Sequence, residues 1–103
     1  MNSQDFSMRK EKNEATVRFI ISGRVNVYNA PMIQAEIEEE LKLGNNKIIL
    51  NMCQVYFLSS AGIRVILMMH KKATEANGSF GIEQPSENVK NVLGMTALEE
   101  MLI

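Results

Sequence analysis

The stretch QVYFLSSAGIRVILMMH, residues 54–70, decides how this chain is read. Two apolar runs flank a small tetrad, Ser59-Ser60-Ala61-Gly62. A turn needs a single Gly or Asn, so two hydroxyls and two small residues between such runs ask for a further reason. After the tetrad, Ile63, Val65, Ile66, Leu67, Met68 and Met69 make the start of a helix apolar around much of its girth. Its later turns are polar, with His70, Lys71, Lys72 and Glu75. Asn77-Gly78 ends it near Ala76.

The rest of the chain falls into place outward from there. Upstream, Lys47–Met52 (KIILNM) predicts a mostly buried strand, with Cys53 in the strand-to-loop region that leads to the tetrad. Before it, Ile33, Ile37 and Leu41 recur every four residues, which predicts a helix. Asn29 is its candidate N-cap, Pro31 suits its first turn, and Gly44 stops it. Glu36, Glu38, Glu39 and Glu40 read as its solvated face. Residues 16–22, TVRFIIS, predict a strand ending at Gly23, with Val25 and Val27 in a strand end or loop. The polar first 14 residues hold Phe6 and Met8 two apart, which fits a short edge strand or a frayed start. Downstream, Ser79–Ile82 is a short strand. Pro85-Ser86 opens a third helix carrying Val89, Val92 and Leu93 and closed by Gly94. Leu98, Met101 and Leu102 follow at helical spacing. The order β-β-α-β-α-β-α predicts an α/β fold, a parallel or mixed sheet covered by helices. No repeat, linker or low-complexity tract interrupts it.

The bulk properties narrow the function. A chain of 103 residues, 46% apolar and 22% charged, predicts one domain, residues 1–103, with a core of its own. Net charge is −1, so no basic field points to nucleic acid or anionic lipid. One cysteine, Cys53, and one histidine, His70, exclude an internal disulfide and a cluster of N and S metal ligands. Cys53 is expected to be buried and inert. The N-terminus lacks a signal-peptide core, and no apolar run approaches the roughly 20 residues that span a bilayer. A soluble, cytoplasmic protein without membrane insertion is expected. No phosphate loop, paired carboxylates or nucleophile with a base is visible, so neither an enzyme nor a cofactor is expected. His70 reads as a surface residue, and the eight Met residues suit core filling and adaptable contact.

Three stretches then resemble one family. NMCQVYFLSSAGIRVIL (51–67) resembles the diagnostic D-L-S-x-V-x-F-[ILM]-D-S-[SAT]-G-[LI]-x-x-L of STAS domains of the anti-sigma factor antagonist type. GRVNVYNAP (23–31) resembles their G-E-L-D-x-x-T-A-P loop. LGMTALEEML (93–102) resembles their closing L-x-x-T-G-L-x-x-x-[LF]. The resemblance implies a mixed sheet of four to five strands with helices packed mainly on one face. It implies an anti-sigma factor, itself a serine kinase, as partner. The unphosphorylated antagonist binds that partner and frees a sigma factor, and the phosphorylated form lets go. In register, the phosphoacceptor falls on Ser60, and a phosphatase acting on Ser60 would reset the switch. The contact surface implied is Asn26, Tyr28, Ser59, Ser60, Ala61, Gly62 and Arg64. Ser59 stands where many members carry Asp, and Asn26 where many carry an acid. That surface therefore lacks two negative charges.

The residues themselves agree with such a site. A Ser at a helix start projects its oxygen beside open N–H groups, and small neighbours let another protein approach the backbone. A phosphate adds about −1.5 to −2 charges, which the helix N-terminus accepts and a docked partner does not. Arg64, one turn on, reads equally as a residue that meets the partner or the phosphate and as a solvated surface arginine. The plainer reading is that a Ser before a helix is an N-cap. A STAS adaptor subunit of a transporter, lipid-trafficking or stress complex, with Ser60 never phosphorylated, is the rival function. An anion-binding accessory role is a third. No patch demands a dimer, so a monomer or weak dimer is expected.

Overall fold

The computed structural model describes residues 5–96, 98 and 101. Within them the elements run β1 (Phe6–Asn13), β2 (Thr16–Val25), α1 (Ala30–Lys42), β3 (Lys47–Leu58), α2 (Ser60–Glu75), β4 (Ser79–Glu83) and α3 (Glu87–Met95). The sheet order is β1-β2-β3-β4. β1 pairs antiparallel with β2, and β2, β3 and β4 are parallel. The expected α/β class and the mixed sheet are therefore present, with four strands among the described residues.

Alternation sets the layers. Along β2, Val17, Phe19, Ile21 and Val25 are buried while the intervening side chains are not. One face of the sheet thus carries the core, and α1 and α2 pack side by side over it through Ile33, Ile37, Val65, Ile66, Met69 and Ala73. The first residues form a full edge strand. Phe6 and Met8 turn toward the core, and the charged remainder protects the edge.

β3 runs further than its sequence suggests, continuing through Cys53 to Leu58. It carries two extra residues against β2. From Ile20 to Ser22 the partner strand advances from Asn51 to Gln54, and from Gly23 to Arg24 it advances from Val55 to Phe57. Each insertion resets the alternation of side chains. Met52, Val55 and Leu58, three apart, all face the core, while Cys53, Gln54, Tyr56 and Phe57 are exposed. Cys53 is therefore an exposed strand residue, against the expectation of burial. β4 pairs only with Lys47–Asn51. Beyond it α3 closes the edge of β3. The Ser86 hydroxyl donates to the Val55 carbonyl, and the Asn88 amide to that of Tyr56 at 2.6 Å. The same Ser86 oxygen caps α3 by accepting the Val89 N–H at 3.1 Å.

Further expectations change. Gly94 lies inside α3, which ends at Met95 with the Thr96 N–H on the Val92 carbonyl. Glu40 does not belong to a solvated face: it is 1% exposed. Its carboxylate takes Lys10 at 2.7 Å, Lys12 at 3.1 Å and the Asn45 amide at 2.9 Å. Burial pushes its pKa up, but Lys10, Asn45 and Lys12 outweigh burial and bring it down to about 2. The cluster ties β1 to α1. His70 is half-buried, edge-on to Phe80 with ring centres 6.0 Å apart. Of the tail, Leu98 packs on the core and Met101 is buried; Leu102 lies outside the described residues. No helix of the described residues is long and apolar enough to cross a membrane.

Candidate functional site

The site grows from the last paired residues of two parallel strands. Val25 of β2 lies opposite Leu58 of β3. The loop after Val25 and the helix after Leu58 therefore leave the sheet side by side, at the carboxyl ends where open α/β sheets build binding sites. The Ser59 N–H donates to the Val25 carbonyl at 2.9 Å, which ties the two exits together.

The tetrad divides its work. Ser59 is the N-cap of α2, in an extended conformation, and its Oγ accepts the Gly62 N–H at 3.2 Å. The Ile63 N–H goes to the Ser59 carbonyl at 3.0 Å. The N–H groups of Ser60 and Ala61 are left as open donors at the helix end. Ser60 is exposed and its hydroxyl makes no hydrogen bond to a described residue. The cap is thus Ser59, and Ser60 is not a capping residue. Ala61 is half-buried. Gly62 is buried because the helix start lies close against the strand ends: a Cβ on it would stand 2.7 Å from Leu58 Cδ1 and 2.8 Å from Val25 Cγ1.

The neighbouring loop is built by two asparagines. Asn26 Oδ1 accepts the N–H groups of Tyr28, at 2.9 Å, and Asn29, at 3.1 Å. Asn29 Oδ1 accepts the Asn26 N–H at 2.9 Å, and its amide donates to the Arg24 carbonyl at 2.8 Å. Asn29 occupies the N-cap position of α1 but makes no side-chain cap, because its own oxygen is turned back into the loop. Asn26 is half-buried and organises the turn. Either oxygen type accepts two N–H groups in this way, so Asn performs there what Asp would. The turn presents Val27, 61% exposed, and Tyr28, 82% exposed. Arg64 lies one helical turn beyond Ser60, exposed, with no ion pair or hydrogen bond to a described residue.

Sequence reasoning did not find Phe57. It is 46% exposed, two residues before Ser59, with the Arg24 guanidinium 6.0 Å from its ring centre and 5.7 Å from that of Tyr56. Arg24 is held there by Asp5 at 3.3 Å. Nothing in the residues next to Phe57 marks it as exposed, and only the second insertion in β3 turns it outward. Among the described residues, no group of three or more His, Cys, Asp or Glu could hold a metal ion.

A mixed sheet that delivers an exposed serine at a helix N-terminus and a two-residue apolar loop tip to one rim defines a small α/β binding fold. The chain belongs to the STAS family, whose STAS domain model matches residues 7–102. It is 26% identical over 94 residues to the anti-sigma-B factor antagonist of Bacillus subtilis, covering 89% of this chain and 84% of that one. It is 28% identical over 72 residues to BtrV of Bordetella bronchiseptica, covering 70% of this chain and 62% of that protein's length. In structure it is similar to the anti-sigma factor antagonist SpoIIAA. The unphosphorylated form superposes with a TM-score of 0.86 at 21% identity, over 94% of this chain and 86% of that one. The phosphorylated form, from Bacillus, superposes with 0.80 at 20% identity, over 94% and 89%. At these identities the likeness to SpoIIAA is one of fold.

Proposed function

We propose that this protein is an anti-sigma factor antagonist. It binds an anti-sigma factor of the serine-kinase type, frees a sigma factor, and is switched off by phosphorylation of Ser60. The observation that carries the reading is the division of the two serines: Ser59 uses its oxygen in the cap, and Ser60 offers an exposed hydroxyl that no described residue engages. In the transfer, Ser60 Oγ attacks the γ-phosphorus of ATP and the bond to the β-phosphate oxygen breaks. ADP leaves, and the hydroxyl proton passes to a base of the kinase. The product dianion sits at the positive end of α2, so the fold tolerates it. A partner packed on Tyr28, Ser59, Ala61 and Gly62 has to desolvate it, which is costly without a matching cation. The switch is local and needs no refolding. That SpoIIAA keeps one fold in both phosphorylation states supports this. The protein acts in the bacterial cytoplasm as a monomer or weak dimer, and a phosphatase resets it.

The test is intact mass and peptide mapping after incubation with ATP and the kinase-like anti-sigma factors of the same genome. One phosphate on Ser60, absent in Ser60→Ala, is the expected result. A folded protein that takes no phosphate from any of them overturns the switch and leaves the adaptor reading.

A further inference from the structure

Among the described residues, the two segments that meet beside Ser60 are uncharged up to Arg64. Residues 25–31 and 56–63 carry no charged side chain. Arg24, which flanks the rim, is occupied: its guanidinium lies against Tyr56 and Phe57 and is paired with Asp5. The first two turns of α2, residues 60–67, hold a single formal charge, Arg64. Ser60 and Arg64 are four apart in one helix, so their side chains share a face, with Cβ atoms about 5–6 Å apart. Both are exposed, and neither side chain is engaged with a described residue. The order is the favourable one, with the anion N-terminal and the cation one turn toward the C-terminus.

We propose that Arg64 is the internal receptor of the Ser60 phosphate, so that phosphorylation reverses the charge of the rim and withdraws its exposed cation together. The proposal rests on Ser60 being the acceptor and deepens that reading. In the unphosphorylated form the rim presents a single positive charge, which suits a partner surface with a carboxylate opposite Arg64. In the phosphorylated form the guanidinium forks onto phosphate oxygens one turn away. The rim then carries about −1 in place of +1, and Arg64 no longer reaches outward. A partner that uses Arg64 loses the contact and meets repulsion at the same place. Release then follows from charge alone, without an acid at position 59 or 26.

The test places phosphoserine at position 60 of the full chain by genetic incorporation, which needs no kinase. The second phosphate ionisation is followed by phosphorus NMR at low ionic strength, with Arg64 and with Arg64→Gln. Both proteins share the helix N-terminus, so the difference isolates the guanidinium. We expect the ionisation about 0.3–0.5 pH units lower with Arg64 than in Arg64→Gln, with the gap shrinking in 1 M salt. Arg64→Lys should recover part of it. Equal values in the two proteins, with matching amide spectra to establish the fold, overturn the proposal. That outcome is independent of whether any kinase accepts Ser60, which the mass experiment decides separately.

Discussion

Gly62 and Val25 meet so closely that a methyl group on the glycine would lie 2.8 Å from Val25 Cγ1. This contact sets how near the start of α2 approaches the end of β2, and so how Ser60 stands beside the Asn26 loop. Gly62→Ala gains up to about 1 kcal/mol of helix propensity but overpacks a core contact at a typical cost of about 1–3 kcal/mol. Val25 is short and stiff and has little room to yield. We expect a net loss of about 1 kcal/mol in urea unfolding, together with weaker partner binding. A stabilised variant would mean that the strand end gives way and that the approach is not set by this glycine.

The two serines should separate cleanly. Ser59→Ala removes the oxygen that accepts the Gly62 N–H and should cost about 1 kcal/mol. Ser60→Ala removes a hydroxyl with no partner among the described residues and should change stability by less than about 0.5 kcal/mol. Chemical denaturation of both variants checks this. Equal losses would show that Ser60 also supports the helix end.

Glu40 makes stability pH-dependent in acid. Its carboxyl is held at about 2, against 4.5 for the ordinary group. A group with a lowered folded-state pKa stabilises the protein above its unfolded value and loses that contribution as pH falls through the folded one. The difference corresponds to on the order of 3 kcal/mol, present above about pH 4.5 and gone near pH 2. Glu40→Gln should cost roughly 2 kcal/mol at pH 7, since charge-assisted hydrogen bonds to Lys10 and Lys12 are lost. The stability curves of variant and parent should converge as pH falls from 4.5 toward 2. Parallel curves would show that the lysine contacts contribute nothing.

Tyr28 stands almost free of the fold at 82% exposure. Tyr28→Ala should leave stability within about 0.5 kcal/mol of the parent. As an aromatic at the tip of the proposed contact loop, its loss should weaken partner binding at least tenfold, the size of a moderate interface anchor. Calorimetric titration with the partner checks this, and unchanged affinity would move the contact surface away from the loop.

Local pattern made most of the fold legible. The alternation of Val17, Phe19 and Ile21, the four-residue repeat of Ile33 and Ile37, and the Pro85-Ser86 start each depend on a residue and its near neighbours, so they survive in one dimension. The candidate site was proposed from the tetrad and its flanks, which are again contiguous. Cys53, Phe57 and Glu40 were not. Cys53 and Phe57 turn outward because β3 carries two more residues than β2 over the same length. An insertion exists only relative to the partner strand. Glu40 is buried because Lys10 and Lys12 reach it from β1, some thirty residues away, and a glutamate in a run of glutamates carries no mark of that.

The order of strands and helices, the apolar faces and the small residues at the head of α2 follow from the chain read alone, because propensity, periodicity and capping chemistry act over a few residues. How crowded Gly62 is, and why the head of α2 stands beside the Asn26 loop, depend on Val25 arriving from β2, which meets Gly62 and accepts the Ser59 N–H more than thirty residues away in the chain. Those contacts are long-range, and hydrogen bonds and steric fit are settled only where the elements meet.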